Sequence, residues 1–122
     1  MERREQTMIR QSEQVNYEVD NHNMVVHLPK ELDHHNCLTV KNNTEQIMDE
    51  TYINRIIFDF THTHFMDSSG IGVLLGRYKR MMGIGGEVAI YGVNERIKRL
   101  LHLSGISKLI RQYETKEQAV RG

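Results

Sequence analysis

Residues Arg55 to Phe60 read RIIFDF, with Ile56, Ile57, Phe58 and Phe60 in near-continuous apolar order. A strand wetted on one face alternates apolar and polar residues, so this run predicts a central strand covered on both faces by helices. The next apolar pattern has a different period. From Ser69 to Met82, the residues Ile71, Leu74, Leu75, Tyr78, Met81 and Met82 recur three and four positions apart. That spacing predicts an amphipathic helix, with Arg77, Lys79 and Arg80 off its apolar stripe. A buried strand feeding such a helix returns to its sheet by a parallel crossover.

The same reading extends to the rest of the chain. Val15, Tyr17 and Val19 alternate with polar neighbours, Asp20 to Asn23 supplies turn-formers, and Met24 to Leu28 is apolar, which together predict a β-hairpin. A weakly amphipathic helix is expected from about Asn36 to Glu50, its apolar positions Leu38, Ile47 and Met48 being sparse. Glu87 to Tyr91 reads as a strand. Asn94 is placed to cap a helix carrying Ile97, Leu100, Leu101 and Leu103, which stops at Gly105. Leu109 to Gln112 predicts a short last strand, and Thr115 with Gln118 a capping box for a terminal helix. The fold class is therefore α/β, a mixed sheet with an opening hairpin and then parallel crossovers, packed with about four helices. Residues 1–14, charged and without period, are expected to form a flexible N-terminal extension, and residues 15–120 the folded domain.

Composition excludes several functions. The 16 basic and 16 acidic side chains cancel, so there is no net field to hold a polyanion, and no direct nucleic-acid binding is expected. Cys37 is the chain's only cysteine, which rules out an internal disulfide and favours a reducing compartment. MERREQTMIRQSEQ has no apolar stretch of the signal-peptide kind, and no window approaches the roughly 20 apolar residues of a membrane span. A cytoplasmic protein without membrane contact is expected.

Chemistry in open α/β sheets collects at the carboxyl ends of strands, against the helix N-termini that follow. Here that place is HTHFMDSSGIG, with Ser68 and Ser69 between Asp67 and Gly70. Residue chemistry by itself favours helix capping, since Asp and Ser are preferred there. A serine nucleophile needs a positioned base and an oxyanion site, for which only His62 and His64 stand nearby. Gly70, Gly72 and Gly76 give GxGxxxG without a following basic residue, which departs from the nucleotide fingerprints and is read as close helix packing.

Taken in order, ELDHH, IIFDF, FMDSSGIGVLLGRYK and GGEVAIYGVNERIKRLLHLSGISKLI resemble the STAS-domain anti-sigma factor antagonists, in particular the sporulation (anti-sigma-F) type. The resemblance covers about residues 15 to 118 and implies a STAS-like fold. It further implies a regulator of transcription by partner switching rather than an enzyme. The unphosphorylated antagonist would bind an anti-sigma factor that is also an ATP-dependent serine kinase, and so release its sigma factor. Phosphorylation would switch it off, and a metal-dependent serine phosphatase would restore it. The family's acceptor, the first serine after the Asp of the motif, falls on Ser68. Partner-binding positions carry over to Glu31, Leu32, Asp33, His34, Asp67, Ser69 and Gly70. Similar antagonists usually have Gly before the ELD element, whereas this chain has Pro29 and Lys30, a stiffer position and an added cation that bear on partner choice.

The remaining features have plainer readings. His34, His35, His62, His64 and Cys37 lack the ligand spacing of a zinc site, so no metal and no cofactor are expected. Cys37 is read as packing. Arg96, Lys98 and Arg99 form a solvated helix face that an acidic partner surface would meet. Two alternatives stay open: a subunit of a sensor or stressosome-type assembly, and a small-molecule or nucleotide-binding protein.

Overall fold

The structure, a computed structural model, describes residues 8–12 and 15–122. In chain order the elements are β1 (Met8–Ser12), β2 (Val15–Asp20), β3 (Asn23–His27), β4 (Glu31–Leu32), α1 (His34–Glu50), β5 (Arg55–Asp59), β6 (Phe65–Met66) and α2 (Ser68–Gly83). They continue with β7 (Glu87–Tyr91), α3 (Glu95–Ser104), a 3-10 turn (Ile106–Lys108), β8 (Arg111–Tyr113) and α4 (Lys116–Arg121). The main sheet runs β1-β2-β3-β5-β7-β8. Its first two pairings are antiparallel and the next three parallel, so the sheet is mixed as expected.

The hairpin turn between β2 and β3 places Asn21 and His22 at φ 51 and 70. Such a two-residue turn requires positive φ at both positions, which Asn tolerates and His adopts less readily. The His22 ring is held there: its Nδ1 donates to the Tyr52 carbonyl at 3.2 Å and it meets the Tyr52 ring edge-on.

Strand β5 lies inside the sheet, and its side chains alternate between two cores. Ile56 and Phe58 join a large core with Tyr17, Met24, Val26 and Ile90, covered by Val40 and Ile47 of α1, Leu74 and Met81 of α2, and Ile97 and Leu101 of α3. Ile57 joins Val25, Ala89 and Tyr91 beneath Ala119 of α4. The apolar run is continuous because both faces are dry.

Five expectations differ from the structure. Residues 8–12, placed in a mobile extension, form the edge strand β1 along β2, because the free edge of β2 offers backbone partners that a polar sequence can use as well as an apolar one; the rest of residues 1–14 lies outside the described residues. Helix α1 starts at His34 and buries Cys37, Val40, Thr44 and Ile47, while Leu38 is exposed. Arg77, expected on the wet side of α2, is 5% exposed, and Met82 and Leu103 face outward. A Cβ on Gly72 or Gly76 would meet nothing within 4 Å, so of the three glycines only Gly70 serves close packing. The last strand, expected at 109–112, is Arg111–Tyr113, displaced by the 3-10 turn before it.

Candidate functional site

Three loops leave the carboxyl ends of β3, β5 and β7, and their backbones are tied together. After β3, the Pro29 carbonyl accepts the Thr63 hydroxyl at 2.8 Å, and the Lys30 carbonyl accepts the backbone N–H groups of His64 and Phe65 at 2.8 and 3.2 Å. The chain then forms β4, which pairs in parallel with β6: Glu31 opposite Phe65 and Leu32 opposite Met66. The Asp67 N–H continues the ladder to the Leu32 carbonyl at 3.4 Å. On the other flank, the Asn94 side-chain amide donates to the Thr63 and His64 carbonyls at 3.3 and 3.5 Å. ELDH and MDSS are thereby placed side by side at one edge.

Two helices start from this ribbon, each capped by an aspartate. Asp33 accepts the Asn36 N–H at 3.0 Å and begins α1; Asp67 accepts the Ser69 N–H at 2.8 Å and begins α2. The plain reading of the two serines as caps therefore belongs to Asp67. Ser68, the first residue of α2, is exposed, and among the described residues no hydrogen bond engages its hydroxyl. Ser69 is half-buried, its Oγ 3.5 Å from His34 Nδ1. Gly70 is buried because a Cβ there would strike the Met66 side chain and approach Leu32 Cδ2 at 3.2 Å.

The expected partner-binding residues separate by exposure. Glu31 and His34 are exposed, Asp33, Asp67 and Ser69 half-buried, and Leu32 and Gly70 buried, so the last two shape the loops from within. His62 and His64 are exposed on the loop after β5, and the strand that would have aligned them ends at Asp59. Among the described residues no cluster of three His, Cys, Asp or Glu side chains is arranged to hold a metal. Among the described residues, the histidine ring within hydrogen-bond reach of the serine pair, His34, faces Ser69 and not Ser68.

The family model of the STAS domain matches residues 14–119. The chain belongs to the STAS domain family. Over 97 residues this STAS domain is 37% identical to the anti-sigma F factor antagonist of Paenibacillus polymyxa, covering 80% of this chain and 83% of that protein. It is 27% identical over 97 residues to the anti-sigma F factor antagonist of Lysinibacillus sphaericus, covering 80% and 82%. In fold it is similar to the anti-sigma factor antagonist SpoIIAA in its unphosphorylated form, with TM-score 0.70 and 22% identity over 95% of this chain and 96% of that one. Similarity to the phosphorylated form of SpoIIAA from Bacillus is comparable, with TM-score 0.69 and 23% identity over 95% and 97%.

Sequence reasoning missed Phe65. It is 41% exposed, one strand position from buried Met66, and stands beside the serine pair. The signal was the out-in alternation of Phe65 and Met66, which is too short to register as a strand. It also missed the groove between α1 and α2, lined by His34, Cys37, Leu38, Ser69, Gly72 and Val73 and about 280 Å³ in volume. Burial, aided by the charges of Asp67 and Asp33, pushes the Cys37 thiol up to about 12, so it is a packing group in this STAS domain.

Proposed function

We propose that this chain is an anti-sigma factor antagonist whose switch is phosphorylation of Ser68. The unphosphorylated form binds an anti-sigma factor with serine kinase activity and displaces the sigma factor it holds. Phosphorylation ends that binding, and a metal-dependent serine phosphatase restores it. The cycle belongs in the cytoplasm and regulates transcription without catalysis by this chain. The observation that carries the reading is the division of labour at the start of α2: Asp67 caps the helix, so the exposed Ser68 hydroxyl is free for another use. The names of the relatives and the STAS fold support the same conclusion.

The site suits a modification read by a partner. A phosphate on Ser68 adds about −1.5 to −2 charge and three acceptor oxygens. At the first position of α2 the helix dipole favours an anion, so the domain keeps its fold when modified. The penalty falls on the complex, where the dianion and Asp67 meet a surface shaped for a neutral hydroxyl; like charges brought together there cost several kcal/mol. Glu31, His34 and Phe65 supply the exposed surround against which the partner docks.

Incubation with the anti-sigma F factor of Paenibacillus polymyxa and ATP, followed by intact mass measurement, tests the assignment. One phosphate is expected on the native chain and on Ser69→Ala, and none on Ser68→Ala. Phosphorylation of Ser68→Ala, or none on the native chain, overturns it. Ser68→Asp is expected to bind that factor at least about tenfold more weakly than Ser68→Ala.

A further inference from the structure

Helix α3 carries charges that its own stability does not explain. Arg96 and Arg99 are exposed, and among the described residues neither enters an ion pair. Three positions apart, they are surface neighbours, and like charges in that relation repel. Arg96 lies in the first turn of a helix capped by Asn94, where the helix dipole disfavours cations. Leu103, one turn beyond Arg99, is 75% exposed. The stripe Arg96, Arg99, Leu103 therefore puts two unpaired like charges and an exposed apolar side chain on one face, while Ile97 and Leu101 fill the core from the other. Departures of this kind, without compensation inside the chain, mark surfaces selected for something else.

The start of α3 is tied to the loop that leads to Ser68. Asn94, two residues before Arg96, holds the carbonyls of Thr63 and His64, and Phe65, Met66, Asp67 and Ser68 follow directly. The acids near α3 do not neutralise it. Glu95 precedes Arg99 by four residues without reaching it, and Glu114 lies in a separate cleft with Lys98. A chain of zero net charge thus presents acids around Ser68, in Glu31, Asp33 and Asp67, and unpaired arginines on the flanking helix.

We propose that the exposed face of α3 is a second docking element for the anti-sigma factor, receiving an acidic surface of that protein with an apolar depression for Leu103. The proposal rests on the antagonist reading. Arginine is enriched at interfaces and binding hot spots, and the exposed Leu103 beside the pair adds apolar area for a partner to cover. Charge complementarity at this flank accelerates encounter and sets orientation, whereas the chemistry at Ser68 governs whether the complex persists. The two parts of the interface therefore control different rate constants.

Stopped-flow binding of the full chain to the anti-sigma F factor of Paenibacillus polymyxa separates them. Arg96→Glu with Arg99→Glu is expected to slow association about tenfold or more at low salt, with the gap closing as salt screens it and dissociation little changed. Leu103→Ala is expected to speed dissociation severalfold with association unchanged. Arg96→Gln with Arg99→Gln is the milder pair if charge reversal disturbs the circular dichroism spectrum. Association of both arginine pairs at the native rate overturns the α3 surface and leaves the antagonist reading standing. Native chain that fails to bind overturns both. Native chain that binds duplex DNA or phosphatidylserine vesicles through these arginines, in preference to the anti-sigma factor, also overturns the proposal.

Discussion

Leu32 and Met66 are partners across the parallel β4–β6 ribbon, and the side chains of both close over Gly70 at the first turn of α2. A methyl group on Gly70 has no room, since its nearest obstacle is the inner part of the Met66 side chain. That contact makes the glycine a steric lock between the ELD segment and the serine pair.

Gly70→Ala is accordingly expected to destabilise the domain by about 1–3 kcal/mol, the usual cost of overpacking. Gly72→Ala and Gly76→Ala, facing open space on the same helix, are expected to stabilise it by about 0.5–1 kcal/mol through helix propensity. Urea unfolding of the three variants checks the contrast, and equal effects would show that Gly70 has no packing role.

Arg77 ties α2 to α1. Its guanidinium donates to Thr44 Oγ1 at 3.4 Å and to Glu45 Oε2 at 2.9 Å, with the arginine side chain 6% exposed and the glutamate 36%. Arg77→Met should lose about 1–3 kcal/mol, less than for a fully buried pair because Glu45 can regain water. Glu45→Gln, which keeps an acceptor for the guanidinium, should lose less. Paired denaturation curves measure both.

The opposite sheet face holds a charged cluster beneath α4. His27 Nδ1 donates to Asp59 Oδ2 at 2.6 Å and Nε2 to Glu18 Oε1 at 3.1 Å, while Lys116 Nζ lies 3.5 Å from Glu18 Oε1. The hydrogen bond to Asp59 raises the imidazole above its ordinary value; burial opposes this and Glu18 adds to it. Burial by itself would raise Asp59, but hydrogen bonds from His27, Thr61 and Tyr91 outweigh it and hold the carboxyl well below the carboxylate range. Since the folded His27 binds its proton more tightly than the unfolded one, its stabilisation is complete below the ordinary imidazole value of 6.5. It is lost as pH rises through the folded value. Stability is therefore expected to fall with pH in that window, and His27→Gln to flatten the slope; an unchanged slope in unfolding measured across pH would refute this. Asp59 acts in the other direction, its contribution being present above 3.8 and lost on acidification below that value.

The Cys37 thiol, raised to about 12, is almost wholly protonated near neutrality, and the thiolate is the reactive form. Its reaction with a disulfide reagent at pH 8 is expected to be far slower in the folded domain than in urea, even though the residue borders the α1–α2 groove. Equal rates would mean that the thiol is neither shielded nor raised.

Much of this architecture is legible in the sequence. The hairpin, the buried strand β5, helix α2, strand β7, and the caps Asn94 and Thr115 depend on patterns that repeat within a few residues or on one side chain meeting a nearby N–H. The resemblance carried by ELDHH and MDSSG pointed to one edge of the fold. Short elements were not legible: β4 and β6 have two residues each, too few to show a period.

Periodicity and capping are local, so the amino-acid order alone carries the succession of the longer strands and helices and the chemical content of the MDSSG loop. Tertiary structure decided which groups in that loop are available. Ser68 stands free because Asp67 takes the N–H of Ser69, and Gly70 is required because Met66 and Leu32 are brought over it by a ribbon joining segments 34 residues apart. Arg77 is buried because α1 presents Thr44 and Glu45 to it, and β1 exists because β2 had an open edge. Burial and backbone pairing between distant segments are properties of the packed chain, and no window of sequence contains both partners.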